Sequence, residues 1–159
     1  MIKIISFGKT KDKHLQSLIE DYLKRLEKFS FARTKLVDWK DDSLDNEMKK
    51  VEQYLEEKIN SGTEERIFLL DELGEDYTTK EFKKRIQKVF DEGSNYTFII
   101  GGAEGFPNLW KKELKEMYNN FSLIKLSSLT LTHEMAKLIL VEQIYRVANI
   151  ESGTPYHKE

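Results

Sequence analysis

Phe98-Ile99-Ile100-Gly101-Gly102-Ala103-Glu104-Gly105-Phe106 runs from a continuous apolar stretch into a glycine-rich turn. A segment that is apolar at every position, rather than at alternate ones, predicts a strand buried on both faces. The glycines that follow let a backbone approach a ligand with no Cβ in the way. In an open parallel sheet, ligands sit at the carboxyl ends of the strands. The same residues also fit a tight strand-to-helix turn that holds nothing. Neither the G-x-G-x-x-G dinucleotide spacing nor a P-loop lysine is present.

Outward from this stretch, short β-branched runs alternate with amphipathic segments. The pattern predicts strands at Ile2 to Phe7, Thr34 to Trp39, Arg66 to Asp71, Thr97 to Ile100 and Leu123 to Ser127. It predicts helices at His14 to Lys28, Leu44 to Asn60, Thr79 to Glu92, Asn108 to Tyr118 and Thr132 to Asn149. Such alternation implies an α/β fold, a mostly parallel sheet with helices on both faces. No linker or repeat divides the chain, so residues 1–159 are expected to form a single domain. The charged helix from Glu47 to Lys58 reads as a solvated face.

Composition narrows the function classes. The chain has no cysteine, which excludes disulfides, thiolate metal sites and a cysteine nucleophile. No apolar run approaches the length of a membrane span, and Met1 to Gly8 reads as a first strand rather than a signal peptide. A cytoplasmic location is expected. Lys plus Arg is 26 against 28 Asp plus Glu, a net charge of −2. A freestanding nucleic-acid binder carries a basic excess, so an RNA partner requires a local patch or a larger assembly.

The last helix is apolar around an unusually wide arc. At 100° per residue, Ala136, Val147, Leu140, Ile144, Ala148, Val141, Tyr145 and Leu138 cover roughly 200°, where a monomer's surface helix needs little more than 100°. The excess must be covered by another layer of the chain or by a second copy, and the short chain favours the second copy. A polar stripe of Glu142, Arg146 and Asn149 remains, with Gln143 at its edge.

Two further segments carry candidate chemistry. Leu126-Ser127-Ser128-Leu129-Thr130-Leu131-Thr132-His133-Glu134 leads from a strand into that helix and offers several hydroxyls, with Thr132 also a plausible N-cap. A third strand end, Leu69-Leu70-Asp71-Glu72, would bring Leu70 to the same edge. Three loops there could hold a flat adenine between apolar side chains and backbone polar groups. Glu142 and Arg146, spaced i, i+4, read either as a surface ion pair or as an arginine aimed at a phosphate or base. Gly153-Thr154-Pro155-Tyr156-His157-Lys158 is either a frayed end or a functional polar tail.

Taken in order, FIIGGAEGF, LSSLTLTHE, LILVEQIYRVANI and the terminal PYHKE resemble the ribosomal large-subunit methyltransferase H family of SPOUT, or α/β-knot, methyltransferases. The resemblance runs the whole chain and is strongest after Arg66. It implies a C-terminal deep trefoil knot, a homodimer and S-adenosyl-L-methionine as methyl donor, with no metal. Its cofactor positions fall on Leu70, Gly102, Leu126, Ser127, Ser128, Leu129, Thr130, Leu131 and Thr132. It implies methylation of N3 of a pseudouridine in 23S rRNA on the assembled ribosome, which would remove the need for a basic surface. Glu142, Arg146, Tyr156 and His157 become the catalytic candidates: Arg146 oriented by Glu142, Tyr156 against the flipped base, His157 as a base. One subunit's tail would complete the other's site. Thr132 stands where the family often has proline. A non-catalytic ribosome-associated factor of this fold and a flavodoxin-like nucleotide-binding module are the alternative readings.

Overall fold

The computed structural model describes residues 1–156. Five strands form one parallel sheet: β1 (Ile2–Phe7), β2 (Thr34–Trp39), β3 (Glu65–Asp76), β4 (Asn95–Ile100) and β5 (Phe121–Lys125), in the order β2-β1-β4-β3-β5. The helices are α1 (Lys13–Leu26), α2 (Leu44–Asn60), α3 (Thr79–Glu92), α4 (Asn108–Met117) and α5 (His133–Glu151). Among the described residues, no helix is long and apolar enough to cross a membrane.

Two apolar layers hold the sheet. On one face α1, α3 and α5 cover Ile2, Ile4, Phe68, Phe98 and Ile100. On the other, α2 and α4 cover Ile5, Phe7, Ile67, Leu69 and Ile99. Phe68 and Ile67 thus face opposite layers, as the alternation of side chains along a strand requires. Helix ends are set locally. Thr78 and Glu81 close a reciprocal capping box on α3, and Gly93 ends that helix in the left-handed region at φ 66°.

β3 departs from expectation. It runs on to Asp76 rather than ending at Asp71, and its pairing with β5 is interrupted. Leu70 and Glu75 both register on Ile124, so residues 71–74 are thrown out of the ladder between them. Gly74 makes this possible, because a Cβ there would lie 2.6 Å from the Ile124 backbone nitrogen. Backbone-to-backbone contact of this kind leaves no apolar periodicity to read.

The wide arc of α5 is consumed within the chain. Leu140, Val141, Ile144, Val147 and Ala148 are fully buried between the sheet, α1 and α3. Tyr145 packs on Tyr22 with ring centroids 5.5 Å apart and on Phe29 at 6.3 Å. Each buried Leu, Ile or Val contributes about 1.5–3 kcal/mol, so the helix is anchored without a partner. The arc therefore supplies no argument for a second copy. A narrower stripe, including Met135, Leu138, Ile139, Arg146 and Ile150, stays partly exposed. Asn149, expected on the polar stripe, is buried instead. Its Nδ2 donates to the Tyr145 carbonyl (2.8 Å), and its Oδ1 accepts from Thr154 Oγ1 (2.7 Å).

Lys137 is fully buried on α5. Its ammonium donates to Gly8 O (3.3 Å), Thr10 Oγ1 (3.0 Å) and Asp38 Oδ1 (3.0 Å). All three donors are used, which is what lets a charge survive there. Glu134 adds to the tie by accepting the Lys11 amide (2.7 Å) and the Asp12 amide (3.3 Å). The start of α5 is thus clamped to the loop after β1. Asp38→Ala should cost about 3 kcal/mol in urea unfolding, the lower end for a broken buried pair because the Asp38 side chain keeps 24% exposure. Adding Lys137→Met should recover most of the loss. An unchanged midpoint for Asp38→Ala would show that the pair does not hold the helix.

Candidate active site

The loops after β3, β4 and β5 meet around a cavity of about 350 Å³ at the carboxyl edge of the sheet. Residues 70–72, 101–106, 125–127 and 129–131 supply the loop walls, and His133 and Ala136 from the start of α5 close one side. Three adjacent parallel strands bring their ends together here, so the site follows from the strand order.

Glycines keep the β4 loop open. A Cβ on Gly101 would lie 2.9 Å from the Phe106 ring, and one on Gly102 would lie 3.0 Å from Glu47 Oε1. Glu47 was expected on a solvated face, yet it is only 5% exposed. Burial pushes its carboxyl above the usual range, opposed by hydrogen bonds from the Asp42 and Gly102 amides. The Glu47 carboxylate stands beside Gly102 where a Cβ would be, so the absence of a side chain there is what lets the two approach.

The remaining walls mix apolar and charged groups. Leu70, Ile100, Leu126 and Leu131 are apolar, and Leu129 is 77% exposed at the rim. The Ser127 hydroxyl accepts the Leu129 amide (3.0 Å) and tightens the β5 loop. Lys111 Nζ and Asp71 Oδ2 lie 2.5 Å apart in the wall, both largely buried. This pair joins α4 to the excursion of β3. Sequence reasoning missed Lys111 and Glu47, because a buried charge inside a charged helix has no periodic signal. Asp71, beside Leu70, was noted only as part of a strand end.

Of the candidate cofactor residues, Leu70, Gly102, Leu126, Ser127, Leu129, Thr130 and Leu131 line the cavity. Ser128 and Thr132 fall outside the lining. Thr132 caps α5, its Oγ1 accepting the Met135 amide at 3.3 Å. His133, quoted above only as part of the segment leading into the last helix, also lines the cavity.

Three of the catalytic candidates form a cluster of their own. Arg146 Nη2 donates to Glu142 Oε1 (2.7 Å), and the Tyr156 hydroxyl donates to the same oxygen (3.3 Å). The Arg146 guanidinium lies 5.2 Å from the Tyr156 ring centroid, and Tyr156 meets Tyr145 edge-on at 4.9 Å. Burial pushes the Tyr156 phenol well above its usual range, helped by a hydrogen bond with Tyr22 and by the Glu142 charge. The tail is thus anchored as far as Tyr156. His157 lies outside the described residues. None of the three lines the cavity. Arg146 sits about 15 Å along α5 from Ala136, at 1.5 Å of rise per residue.

A family profile described as "Predicted SPOUT methyltransferase" matches residues 1–157. Proteins named ribosomal RNA large subunit methyltransferase H are similar over 99% of this chain and 99% of their own length. They include one from Streptococcus suis strain 05ZYH33 at 35% identity and one from Lactobacillus helveticus strain DPC 4571 at 34%. The chain belongs to the ribosomal large-subunit methyltransferase H family of SPOUT methyltransferases. A crystal structure from Bacillus anthracis matches the SPOUT chain in fold, with a TM-score of 0.53 and 15% identity over 99% of this chain and 100% of that one.

Membership in the SPOUT family makes the cavity the place to look for the cofactor. Gly102→Leu, which would drive a side chain against Glu47, should weaken S-adenosyl-L-methionine binding at least tenfold, about 1.4 kcal/mol by calorimetry. Unchanged affinity would put the cofactor elsewhere.

Proposed function

We propose that this family member transfers a methyl group from S-adenosyl-L-methionine to N3 of a pseudouridine in 23S rRNA on the assembled ribosome, as a cytoplasmic homodimer. The observation that carries this reading is the convergence of three loops on one cavity whose volume lies in the small-molecule range. Its apolar walls suit an adenine, and its polar groups suit a ribose and an amino-acid end. When bound, the cofactor supplies an electrophilic sulfonium methyl, which needs neither a metal nor a covalent enzyme intermediate.

A trefoil knot completes the proposed fold. Knots are rare exceptions to chain topology. What supports one here is the double registration of β3 on Ile124, where the excursion 71–74 returns to the β5 backbone in close contact at Gly74.

The separation of the cavity from Glu142, Arg146 and Tyr156 supports the shared site. A site that uses both groups needs a second copy, placed so that the end of one α5 reaches the other's cavity. A two-fold dimer makes that exchange reciprocal. The partly exposed stripe on α5 is the surface left for such contact.

In the composite site this chain's residues position and stabilise. Arg146, held by Glu142 and backed by Tyr156, presents a fixed positive charge to the ring that becomes anionic as N3 loses its proton. His157 is the candidate to take that proton, its ordinary pKa being about 6.5. The substrate's place in a ribosome fits a chain whose net charge is −2. Truncation after Gly153 should leave cofactor affinity within about twofold and lower methyl incorporation into ribosomes at least 100-fold. Full activity after truncation would remove the tail from the mechanism.

A further inference from the structure

Tyr156 does not stand alone beside α5. It is the last member of an aromatic platform that runs through Tyr145 (4.9 Å) to Tyr22 (5.5 Å) and Phe29 (6.3 Å). Three cations lie against that platform: Arg25 in the last turn of α1, Lys28 in the turn that follows it, and Arg146 on α5. Arg25 is 5.8 Å from the Tyr22 ring. Lys28 is 4.8 Å from Phe29 and 5.6 Å from Tyr145. Arg146 is 5.2 Å from Tyr156.

Favourable basic charge at the end of α1 explains part of this arrangement, since cations suit a helix carboxyl terminus. It does not explain why they gather on the ring system that anchors the tail. Arg25 and Lys28 are exposed, and the Arg25 side chain keeps 51% of its surface open. Asp21 engages Arg25 at 2.7 Å, while Lys28 makes no ion pair among the described residues. A guanidinium or ammonium resting on a ring is held in position yet keeps donors directed outward. Cations interleaved with aromatic rings are the chemistry by which proteins hold unstacked RNA.

We infer that Arg25 and Lys28, fixed on the Tyr22–Phe29–Tyr145 platform, grip the RNA phosphates flanking the nucleotide that the tail of the same chain addresses. The inference rests on the functional reading above and adds to it a backbone contact at the carboxyl end of α1 and the turn after it. It also answers how a chain with no basic excess holds RNA: the charge is local and beside the reacting base. The exposed lysines of α3, Lys80, Lys84 and Lys88, offer an internal control because they belong to a different helix and make no ion pair among the described residues.

The test is steady-state methyl transfer to intact ribosomes over a range of salt concentrations. Arg25→Gln with Lys28→Gln should raise KM for ribosomes roughly tenfold and reduce the salt slope by about 2, one for each phosphate contact. Cofactor affinity should stay at the wild-type value, which also shows that the fold is intact. Lys28→Gln alone should give an intermediate shift, and Arg25→Lys should recover much of the loss. Removing two charges from α3, as Lys80→Gln with Lys84→Gln, should move KM far less. Unchanged KM and salt slope in the α1 variant would overturn the inference, as would an equal loss in the α3 variant. Absence of transfer by the wild type would instead sink the functional reading, and this inference with it.

Discussion

The approach of Gly74 to the Ile124 backbone sets the shape of the site. A side chain at residue 74 would push β3 off β5, and the second registration at Glu75 would be lost. With it would go the excursion that places Asp71 and Glu72 on the cavity wall beside Leu70. Each neighbouring loop then builds on this wall. The β4 turn lies beside it because β3 and β4 are hydrogen-bonded, and the β5 loop because β5 is the next strand. A single backbone contact therefore aligns three strand ends that are far apart in sequence.

Buried charges hold the arrangement in register. Lys137 ties α5 to the loop after β1 and to β2 through Asp38. Lys111 ties α4 to Asp71 on β3, and Glu47 ties α2 to the β4 turn. Each would be unfavourable if left alone, so each constrains where its partner can sit. All three act at or next to the carboxyl edge of the sheet. Apolar packing decides that the layers form, and these polar contacts decide how the loops stand around the cavity.

Much of this was legible in the sequence, and the limits have physical causes. Ile67 to Leu70 and Phe98 to Ile100 announced central strands because burial on both faces leaves no polar position. The bounds of α2 and α3 matched, and in the structure the Ser43 and Thr78 side chains cap their first turns. The breadth of the α5 arc was readable, but its neighbours were not. Periodicity measures how much of a helix is buried, not whether α1, α3 or a second chain buries it. Glu47 lay in a charged helix, Asn149 fell on an apparent polar stripe, and Lys137 read as an ordinary helix charge, so none gave a sign that it points inward. The β3 extension through Asp71 to Asp76 was invisible for a different reason: backbone pairing alone makes it. Candidate cofactor positions came from motif order, and most of them line one cavity. The tail's anchorage through Thr154 and Asn149 required coordinates.

The central claim is that the cavity of one chain works with the α5 end and tail of another. Complementation between two defective chains tests it directly. One carries Gly102→Leu and keeps its tail; the other ends after Gly153 and keeps its cavity. Co-expressed in equal amounts, they should recover about a quarter of wild-type methyl transfer, since half the dimers are mixed and each mixed dimer has one intact site. Activity no greater than that of the two defective chains assayed separately would contradict a shared site.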